Sequence, residues 1–166
     1  METFTNWEDV RTTRARIANY IHLTPVMTSS SLDAETGALL FFKCENLQRT
    51  GSFKIRGASK LVESLKPEEA ARGVATHSSG NHGTALACAA GRRGIPAYIE
   101  MPNNSPRPKQ GNVLRYGGRL TLCEPTYEGR KAACAKVIAE TGARLAHSAD
   151  DPYVISGQAT IGLELM

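Results

Sequence analysis

Residues 45–65 read ENLQRTGSFKIRGASKLVESL. Ser52 is placed to cap a helix, after which Ala58, Leu61, Val62 and Leu65 fall on one face at about 100° per residue. Lys54 lies on that same face, four residues before Ala58. An ammonium in line with a buried stripe sits where desolvation opposes its charge. Two readings follow. The side chain snorkels to water from the first helical turn, or burial and the positive end of the helix keep the amine neutral for use as a nucleophile, the state that imine formation requires.

Around this segment the pattern alternates between helix and strand. Residues 5–21 space Trp7, Val10, Ile17 and Ile21 as a helix would, with Pro25 beyond its end, and ALLFFKCENL (38–47) reads as a buried strand. After the Lys54 helix come strand GVATHS, a helix over about 81–92, strand IPAYIEM and a helix over about 106–116. Strand RLTLCE, a helix over about 126–141, strand ARLAHS and a final helical stretch over 152–166 complete the series. Strands alternating with helices of this length predict βαβ crossovers and an open parallel sheet with helices on both faces.

In such sheets ligands collect beyond the carboxyl ends of the strands. The loop after GVATHS is SSGNHG (78–83), whose hydroxyls, glycines and helix-opening amides suit an anion nest or an ordinary capped turn. It is neither a GxGxxG loop nor a Walker loop. His77 and His82 flank it without metal-ligand spacing, His22 and His147 stand apart, and no metal site is expected.

Composition narrows the class. A net charge of +4 over 166 residues, with scattered basic residues and no aromatic-interleaved basic stripe, predicts no nucleic-acid partner. Cys44, Cys88, Cys123 and Cys134 show no CxxC spacing, and the N-terminus has no signal-peptide pattern, so a cytoplasmic location is expected. No apolar run approaches the roughly 20 residues needed to span a bilayer, so no membrane association is expected.

ENLQRTGSFKIRGA followed by THSSGNHGTALA, SPRPK, YGG and DDPYVISGQATIGLE resembles the serine/threonine dehydratase and serine racemase family of fold-type II pyridoxal-phosphate enzymes, the tryptophan synthase beta-like fold. The similarity runs from about Thr24 to Met166. It implies that Lys54 forms the imine with the cofactor, that Phe53 packs on the cofactor ring and that Asn81 hydrogen-bonds the pyridoxal 3-oxygen. It also implies a substrate carboxylate on Ser78, Ser79, Asn81 and His82, with Ser79 as acid/base on the face opposite the lysine. Arg130 matches an arginine near the substrate in racemase-like members, or is a solvated helix residue. The implied activity is dehydration and deamination of serine or threonine to a 2-oxo acid and ammonia, or serine racemisation, on a small amino-acid substrate.

Members of that family are about twice as long, and the glycine-rich loop for the cofactor phosphate and the Ser or Cys opposite the pyridine nitrogen have no counterpart in these residues. The resemblance therefore implies an incomplete large domain over 1–72, a small α/β domain over 73–150 and a returning large-domain helix over 151–166. It also implies a homo-oligomer or dependence on a C-terminal-half partner; a catalytically inactive remnant is the competing reading. Departures from the family pattern are Ala159 in GQAT, Thr84 after SSGNHG and HSADDPY, which lacks a proline after its histidine.

Overall fold

The computed structural model describes residues 6–166. Helix α1 (Trp7–Ile17) opens on a capping box in which the Asn6 side chain accepts from the Asp9 N–H and Asp9 answers at the Asn6 N–H, and it runs into a 3-10 turn over Ala18–Tyr20. The expected start of this helix at residue 5 lies outside the described residues. Strands β1 (Val26–Met27) and β2 (Phe42–Lys43) pair antiparallel around the short helix α2 (Ser30–Thr36).

Helix α3 (Lys54–Ser64) follows, then α4 (Pro67–Arg72), β3 (Val74–His77), α5 (Asn81–Arg93), β4 (Ala97–Pro102) and α6 (Arg107–Arg115). The chain closes with β5 (Arg119–Cys123), α7 (Tyr127–Thr141), β6 (Arg144–Leu145) and α8 (Pro152–Leu163). Thr126 and Asp151 cap α7 and α8 with their side chains, and Gly94 and Gly142 end α5 and α7 in the left-handed conformation.

The four later strands form one parallel sheet in the order β5-β4-β3-β6. Alternation along each strand sorts the core. Val74, Ile99 and Met101 pack with Ala85 and Leu86 of α5 and Val113 of α6, whereas Ala75 and Tyr98 pack with Cys134 and Ile138 of α7 on the opposite face. Both faces of the sheet are thus covered by helices, the arrangement expected of a parallel sheet.

Two expectations fail. ALLFFKCENL is not a buried strand: only Phe42–Lys43 pairs, Leu39 and Phe41 are 79% and 67% exposed, and Glu45–Leu47 turns as a 3-10 helix. With no described strand outside β2 to cover it, apolar content alone does not bury a segment. Ser52 does not cap α3; Phe53 takes that position in the αR conformation with no side-chain cap, and the Ser52 hydroxyl is buried without a partner.

The α3 stripe does pack, with Ala58, Leu61, Val62 and Leu65 all buried. It crosses α8 where two glycines meet: a Cβ at Gly157 would lie 2.5 Å from the Gly57 Cα. Beside the crossing, the fully buried Arg56 guanidinium bonds Glu45 of the 3-10 turn at 2.8 Å and Glu164 at the end of α8 at 2.7 Å. Lys43 and Arg14 reach the same Glu164 carboxylate at 2.8 and 2.7 Å. Burial pushes the Glu164 carboxyl up, but hydrogen bonds from Arg56 and Lys43 outweigh it and hold the group down at about 2.

Arg56→Met is expected to lower unfolding free energy by about 3–5 kcal/mol, because two buried carboxylates lose their main counter-charge. Urea titration checks this, and a loss below about 1 kcal/mol would place the network among weak surface pairs. Glu164 is more acidic folded than its ordinary 4.5. Its contribution is therefore complete above that pH and is lost as pH falls from there toward about 2.

Candidate active site

The carboxyl end of β3 leads through His77, Ser78, Ser79 and Gly80 into the first turn of α5. Ser78 organises that loop: its hydroxyl oxygen accepts from the Gly80 and Gly83 N–H groups at 3.2 and 3.1 Å. The N–H groups of Asn81 and His82 head the helix, where no preceding carbonyl of the helix is in place to accept them. Gly83 is required by space rather than backbone freedom, since a Cβ there would lie 2.8 Å from the Ile99 side chain on the sheet.

Lys54, in the first turn of α3, reaches this loop from two elements upstream of β3. Its amine donates to the Ser148 carbonyl at 2.7 Å and sits 5.1 Å from the Phe53 ring centre. Burial lowers its pKa below the ordinary 10.5, so a larger share of the amine is neutral at any given pH. The snorkelling alternative does not describe this side chain, which is half-buried and points to a main-chain carbonyl.

His82 completes the frame. Its Nε2 lies 3.0 Å from the Ala146 carbonyl, which only accepts, so Nε2 carries the proton and the buried Nδ1 is a bare acceptor with no partner. Burial pushes the ring pKa down to about 4, and the nearby Lys54 charge adds to the shift. The side chain therefore offers a lone pair, and what His82 can donate to a carboxylate is its main-chain N–H. Through Lys54 and His82 the segment Ala146–Ser148, just after β6, is tied to both α3 and α5.

The resulting cavity of about 440 Å³ brings together Lys54, Ser78, Ser79, Asn81, His82 and Arg130. Phe53 stands beside it, half-exposed. Four residues given no role by the sequence also line it: His77, Lys109, Tyr127 and Ser148. Lys109 stood within the quoted SPRPK motif, and His77 beside the loop, but a contribution made by a main-chain carbonyl such as that of Ser148 has no side-chain signature. A larger cavity of about 590 Å³, lined by His22, Arg49, Cys88, Arg92, Arg115 and Tyr116, contains neither the lysine nor the loop hydroxyls. The smaller one is the candidate site on chemistry. Among the described residues no group of three or more His, Cys, Asp or Glu is arranged to hold a metal ion, and no helix is long and apolar enough to cross a membrane.

The profile of the family described as "Pyridoxal-phosphate dependent enzyme" matches residues 17–166. The chain belongs to that family. Pyridoxal phosphate is the family's cofactor, and the fold is that of the fold-type II members. The chain is 51% identical over 157 residues to a serine racemase of Oryza sativa subsp. indica, covering 95% of this chain and 46% of the relative. It is 49% identical over 160 residues to a beta-hydroxyaspartate dehydratase of Paracoccus denitrificans, covering 96% and 51% respectively. The solved structure of maize serine racemase superposes with a TM-score of 0.94 at 48% identity, over 98% of this chain and 50% of that one. The chain spans about half the length of the curated relatives it matches.

The cavity fits the reactive end of this cofactor: a half-buried amine of lowered pKa, an aromatic ring beside it and a loop of hydrogen-bond donors facing it. His82 is expected to titrate at about 4 rather than 6.5. Its proton NMR shift should stay at the neutral position as pH falls past the ordinary histidine value, and the 15N shifts should report the Nε2–H tautomer. Because the folded pKa is depressed, the unfolded chain takes up the proton first, and stability falls as pH drops from 6.5 toward 4. A midpoint near 6.5 would contradict the buried, proton-donating geometry.

Proposed function

We propose that this chain supplies the proton-handling residues of a serine-racemase-like enzyme of the family, acting on small hydroxy amino acids. The observation that carries the reading is that the Lys54 amine, from the first turn of α3, and the Ser79 hydroxyl, from the β3–α5 loop, line one cavity. Pyridoxal phosphate, when bound, supplies an electron sink that stabilises negative charge at the substrate α-carbon. Lys54 would hold its aldehyde, Phe53 would pack on its ring and Asn81 would donate to its ring oxygen.

The substrate carboxylate fits the first turn of α5, where Ser79, the Asn81 side chain and the main-chain N–H groups of Asn81 and His82 are the donors. With the cofactor bound, Lys54 would be the base that takes the α-proton onto its amine, a role favoured by its lowered pKa. Ser79 returns a proton from the other side of the α-carbon, which inverts its configuration. Relatives named serine racemase at about half identity over nearly the whole chain support this reading.

Dehydration is the second reading, favoured by the 49% identity to a dehydratase. Here the α-proton and the β-hydroxyl leave together as water, and hydrolysis of the released enamine gives a 2-oxo acid and ammonia. It uses Lys54 as base and asks of Ser79 only its share in holding the carboxylate, not a proton transfer.

The two roles separate by mutation. The chain combined with the C-terminal half of maize serine racemase and loaded with pyridoxal phosphate is given L-serine in D2O. Lys54→Ala is expected to abolish both α-deuteration and 2-oxo acid formation. Ser79→Ala is expected to lower D-serine formation by about a hundredfold or more, and 2-oxo acid formation only by the smaller loss of one carboxylate hydrogen bond. Racemisation undiminished in Ser79→Ala would sink the two-residue account.

A further inference from the structure

Glu100 lies in β4, an inner strand of the sheet, and is fully buried, yet it does not line the candidate site. Its side chain shares a face with that of Tyr98, two residues earlier, and so lies between the sheet and α7. Its main-chain carbonyl accepts from the Ser78 N–H at 3.0 Å, which places the residue directly behind the β3–α5 loop. Neither carboxyl oxygen has a hydrogen-bond partner of ordinary geometry, and no ion pair among the described residues reaches them.

The elements packed around this carboxyl supply no counter-charge. β3 presents His77, the register partner of Glu100, β5 presents Cys123 and α7 presents Cys134. The cations of β5 and α7 act elsewhere: Arg119 bonds the Tyr98 hydroxyl at 3.1 Å, and Arg130 and Lys131 bear on His77. Burial pushes the Glu100 carboxyl up to about 7, against the weaker opposing effect of the Cys134 thiol. Burial and the Glu100 charge push that thiol up to about 12, so it stays protonated when the carboxyl ionises.

Helix α7 is lightly held. Of its 15 residues only Cys134 is buried, and it rests on Ala75 and Ala143 with partly buried Tyr98 and Ile138. The same helix carries Arg130 and Tyr127, which line the cavity, the tyrosine ring edge-on to His77 at 5.8 Å. An unpaired carboxylate is not stable in a dry interface. Parting a helix held by small side chains from the sheet is the least costly way to hydrate it.

We propose that Glu100 is a proton-operated latch that holds α7 to the sheet. With the carboxyl neutral, the helix lies flat and keeps Tyr127 and Arg130 at the cavity. With the carboxyl ionised, water enters between β4 and α7, the helix lifts and that wall of the cavity opens. The latch acts on the shape of the site and does not depend on the proton transfers assigned to Lys54 and Ser79. The closed form keeps its proton up to about 7, whereas a hydrated carboxyl in the open form keeps it only to the ordinary 4.5. Closure is therefore strongest below 4.5, weakens as pH rises from there to about 7 and is level above. His77 acts in the opposite sense, because burial depresses its pKa and its protonation opposes closure as pH falls.

Amide hydrogen exchange of the 166-residue chain, corrected for the intrinsic pH dependence of exchange, measures the opening of α7 with α5 as internal reference. The opening constant of α7 should rise about tenfold per pH unit up to about 7 and then level off, while that of α5 stays constant. The carboxyl 13C shift of Glu100 should titrate with the same midpoint, and the ring-current shift of His77 from Tyr127 should fade over the same range. Glu100→Gln, which keeps the shape without the charge, and Glu100→Leu should hold α7 closed at every pH. A Glu100 midpoint near 4.5, α7 protection that does not change with pH, or a pH dependence that survives in either variant would overturn the latch. The wild-type titration decides by itself should a variant not fold, and failure of the Lys54 or Ser79 roles would leave all of these results unchanged.

Discussion

The crossing of α3 over α8 at Gly57 and Gly157 is the constraint on which the site depends. Any side chain at Gly157 would run into the Gly57 backbone, so the two helices approach as closely as helices can. Close approach brings Arg56 within reach of Glu164, and the pair draws in Glu45, Lys43 and Arg14 from α8's other neighbours. A buried ionic cluster of this kind is a poor source of net stability, since desolvation offsets most of its attraction. It ties α3 at once to the 3-10 turn and to the end of α8, and in the same helix Lys54, two residues before Arg56, donates to the Ser148 carbonyl.

From Lys54 the constraint passes to the sheet. The amine bonds Ser148 and the imidazole of His82 bonds Ala146, so one short segment after β6 is held by the two helices that line the candidate site. The two groups also adjust each other. Both are depressed by burial, and the Lys54 charge further disfavours a protonated His82, leaving a neutral ring whose single proton is already committed to a carbonyl. The cavity beside them is rich in donors and cations, a composition suited to the carboxylate of an amino acid.

The strand–helix units from β3 to α7 were legible because each joins a short strand to a helix of ordinary length through a short connection, with Thr126 capping α7, all local signals. Local signals failed toward the N-terminus. ALLFFKCENL has the composition of a buried strand, but strand burial depends on partners that composition does not record. Helix α2 has no buried residue, so it carries no amphipathic stripe to detect, and α4 is a six-residue turn started by Pro67. At the site, Lys54, Ser78, Ser79, Asn81 and His82 could be located from motif order alone. The Ser148 carbonyl and the stem of Lys109 over Gly80 could not, because both are contacts between segments distant in sequence.

On the proposed reading, the fold alone, through the α3–α8 crossing, singles out the Lys54 amine as the one that would meet an aldehyde. Incubating the chain with pyridoxal phosphate, reducing with borohydride and mapping the labelled peptides measures this without reference to turnover. The account predicts that the label falls on Lys54 ahead of every other lysine, and that Gly157→Ala, which spreads the crossing, redistributes it to exposed lysines. Label spread from the outset over exposed lysines such as Lys66, Lys131 and Lys136, with Lys54 unmodified, would contradict it.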